Sequence, residues 1–167
     1  MILAVSSTVA ERDPSGFGGF DFLYGDWSVK NRKLKRRLVG ENDWREFPGH
    51  LSVRPILGGG GNMDELTLDD PAGASRGSSI RLYDAATKIW SIYWIDSRSP
   101  VIEPPVKGRM IDGVATLTGD ENYNGRMVRV RFIYENLTPT TGRWSQAYSI
   151  DGERSWETNW VMDFTRL

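Results

Sequence analysis

Residues 106–135, VKGRMIDGVATLTGDENYNGRMVRVRFIYE, alternate apolar and polar side chains through three short runs and break twice, at Asp112-Gly113 and Asn124-Gly125. A period of two marks a strand with one face in a core and one outside it. An Asp-Gly or Asn-Gly pair accepts the positive φ that a two-residue hairpin turn requires. The stretch therefore reads as three antiparallel strands in a meander, and the pattern continues in both directions. Strands are expected at Trp27–Arg36, Trp44–Pro55, Asn62–Leu68, Ser79–Tyr83, Trp90–Asp96, Val106–Ile111, Val114–Gly119, Met127–Glu135, Arg143–Ile150 and Trp156–Thr165. Asp151-Gly152 is expected to close another tight hairpin, and Asp84-Ala85-Ala86-Thr87 to join two runs. Pro100 to Pro105 should form an exposed crossover, since proline cannot donate to a ladder. Helix is confined to a short turn at Phe20–Tyr24. A meander of about ten strands removes both exposed edges by closing. The expected fold is all-β, a single antiparallel up-and-down barrel over 20–167, preceded by a flexible arm over 1–19.

The chain has 167 residues, with 21 basic and 22 acidic side chains. That near-neutral balance gives no global attraction to nucleic acid or anionic membrane, and neither partner is expected. Cysteine is absent, which removes disulfides and thiolate chemistry and agrees with a reducing, cytoplasmic location. Met1 to Ala10 has no basic leader region. No run approaches the roughly 18 apolar residues of a membrane span, so a soluble protein is expected.

Phe22-Leu23-Tyr24-Gly25-Asp26-Trp27 places a short turn, a glycine and a tryptophan at the entry of the first strand, and it resembles the entry motif of the calycin superfamily, which includes the lipocalins. The resemblance implies that Trp27 plugs the closed end of the barrel beneath a basic side chain from near the last strand, here Arg166. Ile80-Arg81-Leu82-Tyr83-Asp84, Trp90-Ser91-Ile92-Tyr93-Trp94 and Trp156-Glu157-Thr158-Asn159-Trp160 resemble a bacterial family of lipocalin-like domains of unassigned function. That resemblance spans nearly all of Phe20 to Leu167; it implies the fold and hands over no catalytic residue.

In a barrel, polar side chains on otherwise apolar strands are the informative ones. Trp144, Gln146 and Tyr148 share a face that suits an amphipathic pocket. On the preceding strand Val128, Val130, Phe132 and Tyr134 form an apolar face, opposite Met127, Arg129, Arg131 and Ile133. The last strand splits into Trp156, Thr158, Trp160, Met162 and Phe164 against Glu157, Asn159, Val161 and Asp163, and either set has the composition to line a lumen. Trp94 and Asp96 share a face near one barrel mouth; a core tryptophan and a turn-capping aspartate is the plainer account. That strand is apolar on both faces, which suggests an outer covering and a homodimer.

His50 is the only histidine. It is a candidate general base; as a haem ligand it would resemble the nitrobindins, whose pattern is not matched residue by residue, and a hydrogen-bonded or exposed strand histidine is the plainer account. Gly58 to Gly61 lacks the lysine and hydroxyl residue of a phosphate-binding loop and reads as a bulge or hairpin. Asn62, Asp64, Glu65, Asp69 and Asp70 lack calcium-loop spacing. No metal or cofactor is expected. The basic run Lys30 to Arg37 reads as a solvated edge strand.

Three functions remain open. The barrel binds a small, largely apolar or aromatic molecule, with Arg81, Trp94, Arg131, Trp144, Gln146, Tyr148, Glu157 and Asn159 as contact residues. Alternatively it is an enzyme of cyclase, isomerase or dehydratase type, with His50, Asp96 and Glu157 as candidate acid–base groups. The third reading is an interaction module whose barrel is filled. Lumen volume and polarity separate them.

Overall fold

A computed structural model of the protein describes residues 18–167, apart from the Pro100 side chain. All of the expected N-terminal arm except Gly18 and Gly19 lies outside the described residues. The strands are β1 (Gly25–Leu34), β2 (Trp44–Ile56), β3 (Gly61–Leu68), β4 (Ser75–Asp84), β5 (Ile89–Asp96), β6 (Ser99–Ile102), β7 (Val106–Ile111), β8 (Val114–Tyr123), β9 (Arg126–Glu135), β10 (Thr141–Ser149) and β11 (Glu157–Arg166). Strands adjacent in sequence pair antiparallel from β1 to β5 and from β7 to β11; β5 pairs with β7, and β11 with β1. Ten strands thereby close into a barrel, and β6 folds back on β5 beside the ring.

The hairpin turns follow the expected chemistry at two sites. Asp112-Gly113 and Asn124-Gly125 both take positive φ at both residues, the requirement of a type I′ turn. At Asp151-Gly152 the structure differs: residues 150–156 form a wider loop, organised by the Asp151 carboxylate. It accepts hydrogen bonds from the Ser149 and Ser155 hydroxyls and the Ser155 amide. Three donors converging on one carboxylate stabilise a longer excursion than a two-residue turn. Of the crossover expected over Pro100 to Pro105, residues 100–102 belong instead to β6, which makes a short ladder with β5, the intervening turn being capped by Asp96 through the Arg98 amide. Nor is β1 an edge strand, since closure gives it β2 on one side and β11 on the other.

One end of the barrel is plugged. A 3-10 turn at Asp21–Leu23 brings Leu23 under Trp27, whose indole N–H donates to the Leu23 carbonyl at 2.7 Å. Trp27 is fully buried. The Arg166 guanidinium lies 4.1 Å from the Trp27 ring centroid and donates to the carbonyls of Phe22, Tyr24 and Pro139. Gly25 has φ +107°, and a Cβ there would stand 2.9 Å from an Arg166 nitrogen. Glycine before the tryptophan is thus required twice, by backbone conformation and by the closeness of the arginine. Phe20 seals the plug from inside, edge-on to Trp90 and Tyr134.

Candidate functional site

Alternation along each strand sends Trp27, Val29 and Lys33 of β1, Leu51 and Val53 of β2, Asp64 and Leu66 of β3, Ser79 and Arg81 of β4, and Ile92, Trp94 and Asp96 of β5 inward. Their inward neighbours from β9 to β11 include Phe132, Trp144, Gln146 and Trp160. These side chains do not fill the barrel. They leave a cavity of about 320 Å³ above the plug, within the lower range of small-molecule sites.

The cavity has an aromatic middle. Trp144 stands edge-on to Phe132 and to Trp160, with centroids 4.9 and 5.1 Å apart, and Trp160 is edge-on to Trp94 at 6.2 Å. The Trp94 ring can approach the wall because residue 77 is glycine; a Cβ there would stand 1.9 Å from the indole. The buried Asn31 amide holds Trp160: the indole N–H donates to Asn31 Oδ1 at 3.0 Å.

Towards the plug the lumen is polar and charged. Arg81 pairs with Asp64 at 2.7 Å, both side chains almost fully buried. Its guanidinium also donates to Asn62 Oδ1 and to the Tyr134 hydroxyl, while Nε has no protein partner. The other Asp64 oxygen accepts the Ser79 amide at 2.7 Å, so this carboxylate stands in for a backbone acceptor where the β3–β4 ladder opens between Met63–Ile80 and Leu66–Gly77. Burial by itself pulls the guanidinium down, but Tyr134 and Asp64 outweigh it and hold Arg81 above the ordinary arginine range. Burial likewise pushes the Tyr134 hydroxyl up.

At the open end stand Lys33, Arg37, Asp96, Arg98, Glu103, Asp120, Glu121 and Tyr148. Arg37 donates to the Tyr148 hydroxyl at 2.8 Å, and that hydroxyl donates to Glu121 at 2.6 Å. Burial raises the Glu121 carboxyl above its ordinary range, against the opposing pull of Tyr148 and Arg37, and it raises the Tyr148 hydroxyl as well. Asp96 is held below its usual range, first by hydrogen bonds from the Arg98 side chain, which binds it bidentately. The Lys33 ammonium lies 4.1 Å from the Trp160 ring centroid, an arrangement of cation over aromatic face. Burial and then the neighbouring Arg37, Arg98 and Arg45 pull it down to about 8.

Of the residues singled out from the sequence, Arg81, Trp94, Asp96, Trp144, Gln146 and Tyr148 line the cavity. Asn159 sits behind it, fully buried, accepting from the Gln146 amide at 2.9 Å. A register shift between Gln146 and Ala147 is what turns Asn159 inward although it lies next to inward Trp160. Three candidates lie elsewhere. Arg131 points out of β9 and stacks on Trp156 at 4.3 Å, the apolar set of that strand having taken the lumen. Glu157 accepts the Leu38 amide with both oxygens and so anchors the β1–β2 connection. His50 is on the outer face, half-exposed, with Nε2 3.5 Å from Asp26. The three proposed acid–base groups are therefore not gathered in one place.

Sequence reading missed Lys33, Arg37, Asp64, Tyr134 and Glu121 as lumen groups. For Lys33 the signal was present: it continues the alternation Trp27, Val29, Asn31. The basic run around it masked that signal. Asp64 needed the β3–β4 pairing that sets Arg81 beside it, and Tyr134 the β4–β5 closure that brings β9 across the lumen to Arg81.

No protein-family model and no curated protein matches this chain. Its fold is similar to that of the S-type phycobiliprotein lyase of Guillardia theta, with a TM-score of 0.59 over 89% of this chain and 90% of that one, at 11% sequence identity. At that identity the likeness is one of fold, and it agrees with a lipocalin-like barrel.

Proposed function

We propose that the protein binds one small, largely apolar or aromatic molecule inside the barrel. The observation that carries this reading is the cavity of about 320 Å³ walled by Trp94, Phe132, Trp144 and Trp160 above a buried polar floor. A filled interaction module would have closed that space, because protein interiors pack to crystal-like density. Arg81 Nε, buried and without a protein partner, supports a ligand acceptor at the floor, since an unmade buried hydrogen bond costs about 1–3 kcal/mol. A small-molecule site in this lumen is also compatible with the phycobiliprotein lyase sharing the fold.

Binding is favoured over catalysis by the placement of the acid–base candidates. His50 and Glu157 are outside the lumen, and Asp96 is engaged by Arg98. The test is titration with the neutral fluorophore phenylnaphthylamine, read as energy transfer from the lumen tryptophans, alongside native mass spectrometry of protein purified from its own host. Saturation at one probe per chain, with a retained small molecule in the native spectrum, is the expected result. Absence of saturable transfer together with a bare mass would refute it.

A further inference from the structure

We infer that the ligand is an anionic amphiphile: its acid group sits at the barrel mouth against the Lys33 ammonium, between Arg37 and Arg98, and its apolar body runs down the aromatic lumen. This rests on the preceding reading that the lumen binds a small molecule, and adds the chemical class.

The pairing of charges along β1 and the segment after it carries the inference. Outward-facing Lys30 is paired with Glu46 at 3.2 Å, and Lys35 with Asp43 at 3.0 Å. Arg36 is engaged by Glu41. Lys33, the lysine of this run that lines the cavity, has no carboxylate within ion-pair distance among the described residues; its contact is the Trp160 face. Arg37 beside it is held by a tyrosine hydroxyl and not by a carboxylate.

Three carboxylates around the mouth are engaged by other groups. Asp96 takes Arg98 bidentately, Asp120 pairs with Arg129, and Glu121 takes the Tyr148 hydroxyl. Glu103 lines the same opening with no ion pair among the described residues, and its negative charge pushes the Glu121 carboxyl up. Asp70, which with Asp96 and Glu121 acts on Lys33 from a distance, is itself held by two Arg45 nitrogens. At Lys33 the cations Arg37, Arg98 and Arg45 thus face Asp70, Asp96 and Glu121, none of which makes an ion pair with it. A partly desolvated ammonium with no carboxylate in contact is poorly stabilised, and burial, then Arg37, Arg98 and Arg45, hold it down to about 8. A carboxylate or sulfonate arriving there meets a charge with little water to displace, where Coulomb attraction is several-fold stronger than in bulk solvent. The indoles directly below, Trp160 and Trp94, fit the adjoining apolar body.

The test compares two probes of nearly the same shape, anilinonaphthalene sulfonate and the neutral phenylnaphthylamine, on the wild type, Lys33→Met and Lys33→Arg. Lys33→Met should weaken the sulfonate about tenfold, the scale of a lost charge-assisted contact, and leave the neutral probe within about twofold. Lys33→Arg should keep most of the sulfonate affinity. Because the cation is the binding form, sulfonate affinity in the wild type should fall as pH rises past about 8, while the neutral probe stays flat. Equal losses of both probes in Lys33→Met, no loss of the sulfonate, or sulfonate that the neutral probe fails to displace would overturn the inference while leaving lumen binding standing. A neutral probe that does not bind the wild type would instead sink the lumen reading, and this inference with it.

Discussion

Removing Arg81 tests how the floor of the lumen is held together. Arg81→Met keeps most of the side-chain length but leaves the Asp64 carboxylate buried at 2% side-chain exposure without its counter-charge. It also strips the Tyr134 hydroxyl and Asn62 Oδ1 of their donor. Breaking a buried ion pair from one side typically costs about 3–5 kcal/mol, because the remaining charge is uncompensated. Replacing the pair at once is far milder. In Arg81→Met/Asp64→Asn the carboxamide oxygen still accepts the Ser79 amide, so the ladder between β3 and β4 keeps its substitute acceptor while no charge is left inside. The double variant should therefore recover at least half of the loss. Urea unfolding followed by tryptophan fluorescence reads this directly. With slopes of about 1–3 kcal/mol per molar urea, the single variant should lower the midpoint by at least about 1 M. A single-variant loss under about 1 kcal/mol, or a double variant no more stable than the single, would refute this account of the floor.

Three further outcomes are expected. Gly25→Ala should cost about 1–3 kcal/mol in the same unfolding assay, since it combines a positive φ with a Cβ 2.9 Å from Arg166; a neutral result would detach the arginine from the role of plug clamp. Gly77→Ala should displace the Trp94 indole, shifting tryptophan emission and weakening the neutral probe several-fold, and unchanged emission with unchanged affinity would show that Trp94 is not held as a cavity wall. The Asp151 carboxyl is held down at about 2 by the Ser155 and Ser149 groups, so its contribution to stability is present above the ordinary aspartate range and lost as pH falls towards about 2. The gap in melting temperature between wild type and Asp151→Ala should accordingly be widest near neutrality and shrink in acid; a gap constant with pH would contradict it.

Period-two alternation and the turn pairs at Asp112 and Asn124 determined the β class, the meander and nearly every strand, because pleat and hairpin turn are local properties of a few adjacent residues. The Gly25-Asp26-Trp27 entry and the place of Arg166 were legible through the resemblance to the calycin entry motif, and the structure supplies the reason: the arginine lies on the indole so close that a Cβ at residue 25 would meet it. Local pattern also separated the two faces of each strand, yet it did not say which face was inside. That depended on closure of β4 on β5 and of β1 on β11, which turned Arg131 outward, put His50 on the surface, and brought Tyr134 of β9 across to Arg81 and Asp64 of the paired strands β4 and β3. The shift between Gln146 and Ala147, which buries Asn159, breaks the alternation that sequence reading relies on. The unpaired charge of Lys33 is likewise a property of the assembled mouth: a lysine in a basic run looks solvated until the barrel closes around it and sets it on the Trp160 face with no carboxylate within ion-pair distance among the described residues.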